Sequence, residues 1–234
     1  MKKIIVLLTL LVLMSGLTNG ATAYTINYSN TGTGGQYTTP YLAGPGVANL
    51  TVETFDPQTQ PLNWTWDGNY SVVTGSQSGL YAAPAGGLSV SDPSRYVTTP
   101  KQLGASPGNY VTVTNLGGTY NYFGLWWGSV DGYNTLTFYK NGQLVQSFTG
   151  NEAINPSHAN GDQTASSTNL YINFLNLPEF DSFRLASTNY AFEADNIAVG
   201  NVAPVPEPGT VLLLGLGLFG LAIYGKRRMN REAL

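Results

Sequence analysis

Two runs of alternating apolar and polar residues, at 134–140 and 143–149, are joined by Asn141-Gly142. Asparagine and glycine accept the two positive φ angles of a type I′ turn, so this arrangement predicts a β-hairpin. The apolar residues recur at even spacings and therefore share one face of each strand. We expect four of them in the core: Leu136, Phe138, Leu144 and Phe148. A chain organised around such a hairpin needs further strands to cover that apolar face.

Six more runs have the composition or the period of two that is typical of strands. They cover residues 50–55, 110–114, 121–127, 170–175, 182–186 and 191–199. Turn-rich stretches separate them, and no long helical pattern lies between them. The sequence therefore predicts an all-β fold, an antiparallel β-sandwich of jelly-roll type, formed by one domain at residues 24–203.

The composition narrows the choice of partners. Only 10% of the residues are charged, and residues 24–203 contain eleven acidic but only four basic side chains. Such a negative balance repels a phosphate backbone, so we expect no nucleic-acid partner. The chain has no cysteine, which excludes disulfides, thiolate metal sites and a cysteine nucleophile. The domain must be held together by its core or by a hard metal ion.

The N-terminus has the three parts of a secretion signal. Lys2 and Lys3 precede an apolar run at residues 4–14, and Ala21 and Ala23 supply small residues at the spacing that signal peptidase accepts. We expect cleavage after Ala23, which makes residues 1–23 a signal peptide. The alternative is an uncleaved membrane anchor, but the apolar run is short against the ~20 residues of a span.

The C-terminus contains a second ordered set of features. Val205-Pro206-Glu207-Pro208 is followed by an apolar run at 211–224 and then by Lys226-Arg227-Arg228. The prolines keep the motif extended, and the apolar run predicts a short transmembrane helix. The basic cluster is expected to stay in the cytoplasm, which places residues 24–208 outside. The alternative is a plain membrane anchor that no enzyme recognises.

This order of motif, apolar run and basic stop, together with the signal peptide, resembles the PEP-CTERM sorting tail, here residues 204–230. The resemblance implies processing by exosortase near Pro206-Glu207-Pro208 in a bacterial, usually Gram-negative host, often with an exopolysaccharide-rich biofilm matrix. The implied partners are signal peptidase, exosortase, the inner membrane and exopolysaccharide. The implied location is the inner membrane during sorting, and then the cell surface or the extracellular space.

Two internal segments carry further resemblances. Residues 122–134 look like a segment shared by PEP-CTERM surface proteins, and residues 192–197 resemble the closing strand of galactose-binding-like sandwiches. In those sandwiches an early acidic strand and the last strand commonly share a bound Ca²⁺, so the resemblance implies a structural calcium site. Its ligands here are expected to be Glu53 or Asp56 together with Asp195.

The acidic and histidine residues do not form a catalytic pattern. His158 is the single histidine and lies in a turn-like loop, and no G-x-S-x-G sequence supplies a nucleophile. Acidic pairs occur at Glu179/Asp181 and Glu193/Asp195, but neighbours on one strand rarely straddle the cleft that glycosidases need. We therefore expect a protein that is not an enzyme.

Two pairs of aromatic residues are candidates for sugar binding. Tyr122 and Trp126 are expected on the less apolar face of their strand, where an exposed pair could stack on a sugar ring. Trp64 and Trp66, also spaced by two, could form a second platform. The alternative is that both faces of these strands are buried.

These patterns favour an exported protein with a structural or adhesive role in a polysaccharide-rich envelope. An alternative is a carbohydrate-binding module, which requires an exposed aromatic platform. A glycan-processing enzyme is the third hypothesis, and it requires two acids that face each other across a groove.

Overall fold

The computed structural model describes residues 23–29, 37–42, 46–59, 62–86, 91–203 and 215–224. The chain divides into two units, Met1–Val202 and Ala203–Leu234. Residues 1–22 of the expected signal peptide, which include Ala21, lie outside the described residues, whereas Ala23 is described. The motif at 205–208 and the basic cluster at 226–228 lie outside them as well.

The first unit is an all-β sandwich of two antiparallel sheets. Its strands, in chain order, are β1 (Thr25–Ser29), β2 (Val47–Glu53), β3 (Thr65–Gly68), β4 (Ser71–Thr74), β5 (Arg95–Thr99), β6 (Tyr110–Thr114), β7 (Tyr122–Gly128), β8 (Asn134–Lys140), β9 (Gln143–Thr149), β10 (Leu170–Leu175), β11 (Ser182–Ser187) and β12 (Phe192–Val202). This confirms the predicted all-β, antiparallel sandwich.

The larger sheet has seven strands in the order β1-β10-β7-β12-β5-β4, with β2 also paired to β12. Strand β12 holds this sheet together because one of its edges pairs with β7. Its other edge pairs with β5 at residues 192–194 and with β2 further along. The smaller sheet has five strands in the order β3-β6-β11-β8-β9.

The core between the two sheets is dominated by aromatic side chains. Phe123 of the larger sheet packs against Phe138 and Phe183 of the smaller sheet, with ring centroids 5.1 and 4.8 Å apart. Trp127 stacks on Phe192 at a centroid distance of 4.2 Å. Such pairs stabilise a core by about 0.5–1.5 kcal/mol each beyond the burial of their area. An aromatic core of this kind supplies cohesion that disulfides supply in many small domains.

The predicted hairpin is confirmed, because β8 and β9 begin and end where the alternation predicts. Asn141 and Gly142 have φ values of 50° and 74°, as a type I′ turn requires. Leu136, Phe138 and Phe148 are buried in the core.

The prediction for Leu144 is wrong, since its side chain is 63% exposed. The cause is a change of register: Phe138 pairs with Gln146, while the adjacent Tyr139 pairs with Leu144. Val145 is therefore an extra residue in β9, and it packs partly buried against the core in place of Leu144.

The outer face of the larger sheet is covered by loops. The segment at 37–42, which precedes β2, and the segments at 82–85 and 92–94, which connect β4 to β5, all contribute contacts to it. This layer buries outward-facing side chains of β7 and β12 that a two-layer sandwich leaves exposed.

Two helices are described. Helix α1 (Gly150–Ala153) is one turn that follows β9, and its capping box includes a hydrogen bond of 2.7 Å from the Thr149 N–H to Glu152 Oε2. Helix α2, at residues 215–224 in the second unit, has exposed side chains. No helix within the described ranges has both the length and the apolar character that crossing a membrane requires. Residues 211–214, the start of the predicted span, lie outside those ranges.

Candidate functional site

The outward-facing aromatic pair of β7 is buried. Trp126 and Tyr122 lie on the face opposite the core, as predicted, but each is 0% exposed. Tyr37 packs on Trp126 with 5.4 Å between ring centroids. Thr39 Oγ1 and the Tyr122 hydroxyl form a hydrogen bond of 2.7 Å. The predicted sugar platform at these two residues is therefore wrong, because a segment distant in sequence lies over them.

The glycine between these two aromatics has a structural role. A Cβ atom at Gly124 would lie 2.5 Å from the Tyr122 hydroxyl oxygen and 2.7 Å from that of Tyr171. Tyr122 donates to Asn173 Oδ1 at 2.8 Å, and Tyr171 donates to the Asn196 carbonyl at 2.9 Å. The glycine thus makes room for two buried hydroxyl groups rather than for a sugar ring.

The two tryptophans near β3 have different environments. Trp64 is buried at 8% exposure and packs against Phe183, so its predicted role as an exposed platform is wrong. Trp66 is only half-buried, and its ring packs edge-on against Phe55 with centroids 5.3 Å apart. Of the four predicted aromatic residues, Trp66 alone keeps a partly accessible ring.

Trp66 lines a cavity of about 290 Å³, here called the aromatic pocket. Its apolar walls come from Phe55, Leu62, Tyr70 and Val72. The rings of Trp66 and Tyr70 lie 5.7 Å apart with 37° between their planes. The pocket therefore offers two neighbouring aromatic rings and aliphatic side chains to a ligand of modest size.

Three charged residues complete the aromatic pocket: Glu53, Asp56 and Arg95. Asp56 and Arg95 both line it, and the Arg95 backbone N–H lies 3.5 Å from Asp56 Oδ1. The one ion pair among the described residues joins Lys140 to Glu179. The guanidinium of Arg95 is therefore not held in an ion pair with Asp56, although both groups border the same pocket. Apolar walls with a few polar groups at the edge are typical of small-ligand sites.

The carboxylate of Glu53 accepts hydrogen bonds from the backbone that follows its own strand. Its Oε1 accepts a hydrogen bond from the Phe55 N–H at 2.8 Å, and its Oε2 accepts one from the Leu62 N–H at 3.2 Å. Both carboxylate oxygens thus hold the chain that leaves β2. The prediction that Glu53 or Asp56 binds calcium together with Asp195 stays a prediction.

Asp195 forms a buried acidic pair with Asp92, which the sequence reasoning missed. Both side chains are at most 2% exposed. Burial, and next the neighbouring Asp92, raise the pKa of Asp195 well above its usual range. Asp56 adds a further, weaker electrostatic contribution in the same direction. The only signal in the sequence was an acid in a loop, Asp92-Pro93-Ser94, with no pattern that connects it to β12.

This acidic pair fits a hard cation in its chemistry. Asp195 Oδ1 is buried without a hydrogen-bond partner among the described residues, and Ser94 Oγ lies 3.5 Å from Oδ2. Carboxylate and hydroxyl oxygens are ligands that Ca²⁺ accepts. No three acidic or histidine side chains converge on a metal position in the part of the chain that the structure describes. A Ca²⁺ ion held here would need backbone or water oxygens besides Asp92 and Asp195.

Glu193 lies two residues before Asp195 on the same outer face of β12. Its carboxylate accepts hydrogen bonds from the Ala82 N–H at 2.9 Å and from Ser129 Oγ at 3.0 Å. Burial raises the pKa of Glu193 to about 7. The two hydrogen bonds act against this shift, whereas the nearby charge of Asp131 adds to it. The two acids share a face, as predicted, but each has its own set of neighbours.

The remaining candidates for catalysis are exposed or have structural partners. His158 is exposed on a turn, where its N–H donates to the Asn155 carbonyl at 2.8 Å. Glu179 lies 3.8 Å from Lys140. Asp181 accepts a hydrogen bond from the Asn141 N–H at 2.7 Å and so supports the hairpin turn.

The fold and these sites define an all-β sandwich protein with one aromatic pocket and several buried acidic side chains. Residues 204–228 match the family described as the PEP-CTERM protein-sorting motif. The chain therefore carries this sorting motif, which supports export and exosortase as the sorting partner. No curated protein matches the chain.

Proposed function

We propose that exosortase sorts this exported protein to the cell surface or extracellular matrix, where it is a non-enzymatic structural or adhesive component of a polysaccharide-rich envelope. On this proposal the sandwich is a jelly roll of galactose-binding-like type, and it is the part that the cell displays. The sorting motif at residues 204–228 supports the route, and the aromatic pocket supports the adhesive role.

The proposed route uses the ends of the chain in order. Signal peptidase removes residues 1–23 during translocation. The apolar run at 211–224 then holds the chain in the inner membrane, with Lys226-Arg227-Arg228 on the cytoplasmic side. Exosortase acts near Pro206-Glu207-Pro208 and releases the sandwich from its anchor.

Substitution of Glu207 tests this route. In a host that contains exosortase, we expect the wild type to lose its tail, whereas Glu207→Ala retains the tail and remains in the inner-membrane fraction. Glu232→Ala is the matched control, because it removes the same side chain beyond the matched motif. Equal processing of all three proteins on an immunoblot would refute the proposed sorting step.

The adhesive role rests on one observation: half-buried Trp66 lies beside Tyr70 in a pocket that Asp56 and Arg95 also border. Aromatic rings stack on the apolar faces of sugar rings, and charged groups at the edge can accept or donate hydrogen bonds to hydroxyls. At about 290 Å³ the pocket is near the lower end of the range of small-ligand sites. A single sugar unit of a polymer is therefore the proposed occupant.

Retention on immobilised exopolysaccharide tests this role with the full chain in detergent. We expect Trp66→Ala to weaken retention about tenfold, the factor that corresponds to 1.4 kcal/mol. Leu144→Ala is the control, since Leu144 is an exposed apolar side chain on β9, away from the aromatic pocket. If Trp66→Ala binds like the wild type, the aromatic pocket does not carry adhesion.

A further inference from the structure

A second cavity of about 330 Å³, here called the polar pocket, opens beside Glu193. Four loops border it: residues 79–81 between β4 and β5, residues 129–133 between β7 and β8, residues 160–163 before β10, and residues 189–191 between β11 and β12. None of these residues borders the aromatic pocket. The polar pocket is therefore a separate site.

The lining of this pocket is polar and carries negative charge only. Glu193 and Asp131 contribute carboxyl groups, and Ser129 and Tyr133 contribute hydroxyls. Carboxamides come from three exposed or loop residues at the rim: Asn160, Gln163 and Asn189. Among the described residues that line the pocket there is no lysine, arginine or histidine. An anionic ligand is therefore repelled, whereas a neutral or cationic ligand is compatible.

The buried floor of the pocket is held in place by hydrogen bonds. Ser129 Oγ donates to Glu193 Oε2 at 3.0 Å, and the Ser129 N–H donates to Asn169 Oδ1 at 2.9 Å. Each Glu193 carboxylate oxygen accepts one hydrogen bond from the protein, and a carboxylate offers about four lone-pair positions. Glu193 is thus fixed in position and still has acceptor capacity for a ligand.

The wall opposite is fixed in a similar way. The Tyr133 hydroxyl donates to the Tyr190 carbonyl at 2.9 Å. Gly161 lies so close to Asp131 that a Cβ atom there would be 2.5 Å from Asp131 Oδ1. Burial raises the pKa of Asp131, and no cation of the pocket lining opposes this shift. A ligand that brings a positive charge would be attracted by both carboxyl groups.

We propose that the polar pocket binds one amino-sugar residue through its ammonium group, with Glu193 and Asp131 as the charge partners. The hydroxyl groups of the sugar bond to Ser129, Tyr133 and the carboxamides at the rim. The enclosed volume suits a single ring, and the wholly acidic charge selects the protonated amine over neutral and acidic sugars. This site adds a second specificity to the adhesive role and does not depend on Trp66.

Calorimetric titration of the full chain in detergent tests the proposal, with glucosamine, N-acetylglucosamine, glucose and glucuronate as probes. We expect glucosamine to bind at least about tenfold more tightly than the others, a difference of 1.4 kcal/mol.

Three variants make the test specific. Glu193→Gln should lose the preference for glucosamine, and Asp131→Asn provides a second test if Glu193→Gln does not fold. Asp67→Asn removes an exposed carboxylate on β3 and should bind like the wild type. The proposal is overturned if glucosamine binds no better than glucose, or if Ca²⁺ binds in the pocket and glucosamine does not. Polysaccharide retention by Trp66→Ala tests the aromatic pocket separately, so one proposal can be refuted while the other stands.

Discussion

Tyr37 and Trp126 pack against each other on the outer face of the larger sheet, with ring centroids 5.4 Å apart and 53° between the ring planes. Trp126 is fully buried, and its Nε1 has no hydrogen-bond partner among the described residues. The side chain therefore stabilises the protein by packing alone. It attaches the segment at 37–42 to the sheet rather than contacting a ligand.

Trp126→Ala is expected to lower the free energy of unfolding by about 3–5 kcal/mol, because it removes a fully buried ring and leaves a cavity. Trp66→Ala should lower the free energy of unfolding by clearly less, since Trp66 is only half-buried. Urea denaturation of the two variants beside the wild type measures both losses. An equal loss would mean that the covering segment does not pack on Trp126 in solution.

Gly124→Ala is expected to destabilise the protein by about 1–3 kcal/mol through overpacking. The added methyl group would lie 2.5 Å from the Tyr122 hydroxyl oxygen, which a hydrogen bond to Asn173 holds in place. Tyr122→Phe removes that oxygen, so the double variant should lose less stability than the two single variants added together. Strictly additive losses in thermal unfolding would show that the close approach is not the cause.

The sequence predicted those strands whose own residues alternate between apolar and polar. The ends of β6, β8, β9 and β10 agree with the alternation, and Asn141-Gly142 forms the expected turn. Four strands were missed: β1, β3, β4 and β5. The segment Thr65–Gly68 contains aspartate and glycine, which strands avoid, and it becomes a strand by pairing with β6. Arg95–Thr99 is buried at four consecutive positions, so it shows no alternation.

The sites were harder to predict because they depend on contacts between distant segments. Strand geometry predicts the face of the sheet on which the Trp126 side chain lies, but its burial depends on Tyr37, which is far away in sequence. The acid that pairs with Asp195 comes from a loop before β5, where one aspartate is unremarkable. The polar pocket is assembled from four loops, and no single stretch of sequence contains it.

Stability is expected to fall between pH 5 and pH 8, which is unusual for an acidic protein. The pKa of Glu193 is raised from 4.5 to about 7 in the folded state. The folded state therefore binds more protons than the unfolded state between these values. This contribution is complete below pH 4.5 and is lost as the pH rises through 7, at a cost of about 3 kcal/mol by linkage. Burial shifts the pKa values of Asp131 and Asp195 in the same direction.

Thermal unfolding at pH 5 and pH 8 measures this dependence. Glu193→Gln should have a smaller difference between the two melting temperatures than the wild type, because glutamine keeps the shape of the side chain and does not ionise. Glu152→Gln is a suitable comparison, since its exposed carboxyl has a lowered pKa and cannot produce the same trend. A wild type that is more stable at pH 8 than at pH 5 would contradict the assignment.

Calcium is expected to stabilise the protein at pH 8 through the buried acidic pair of Asp92 and Asp195. Because burial and the neighbouring Asp92 raise the pKa of Asp195, the charged form of Asp195 is costly unless a cation lies beside it. Ca²⁺ should therefore raise the melting temperature at pH 8 more than at pH 5, where protons compete for Asp195, and EDTA should reverse the gain.

Asp195→Asn should abolish the response to Ca²⁺ and should be more stable than the wild type in EDTA at pH 8, because it removes a buried charge. Glu53→Gln should keep the response, because both Glu53 oxygens already accept backbone hydrogen bonds. If differential scanning fluorimetry finds the same melting temperature with Ca²⁺ and with EDTA at both pH values, the acidic pair does not bind Ca²⁺.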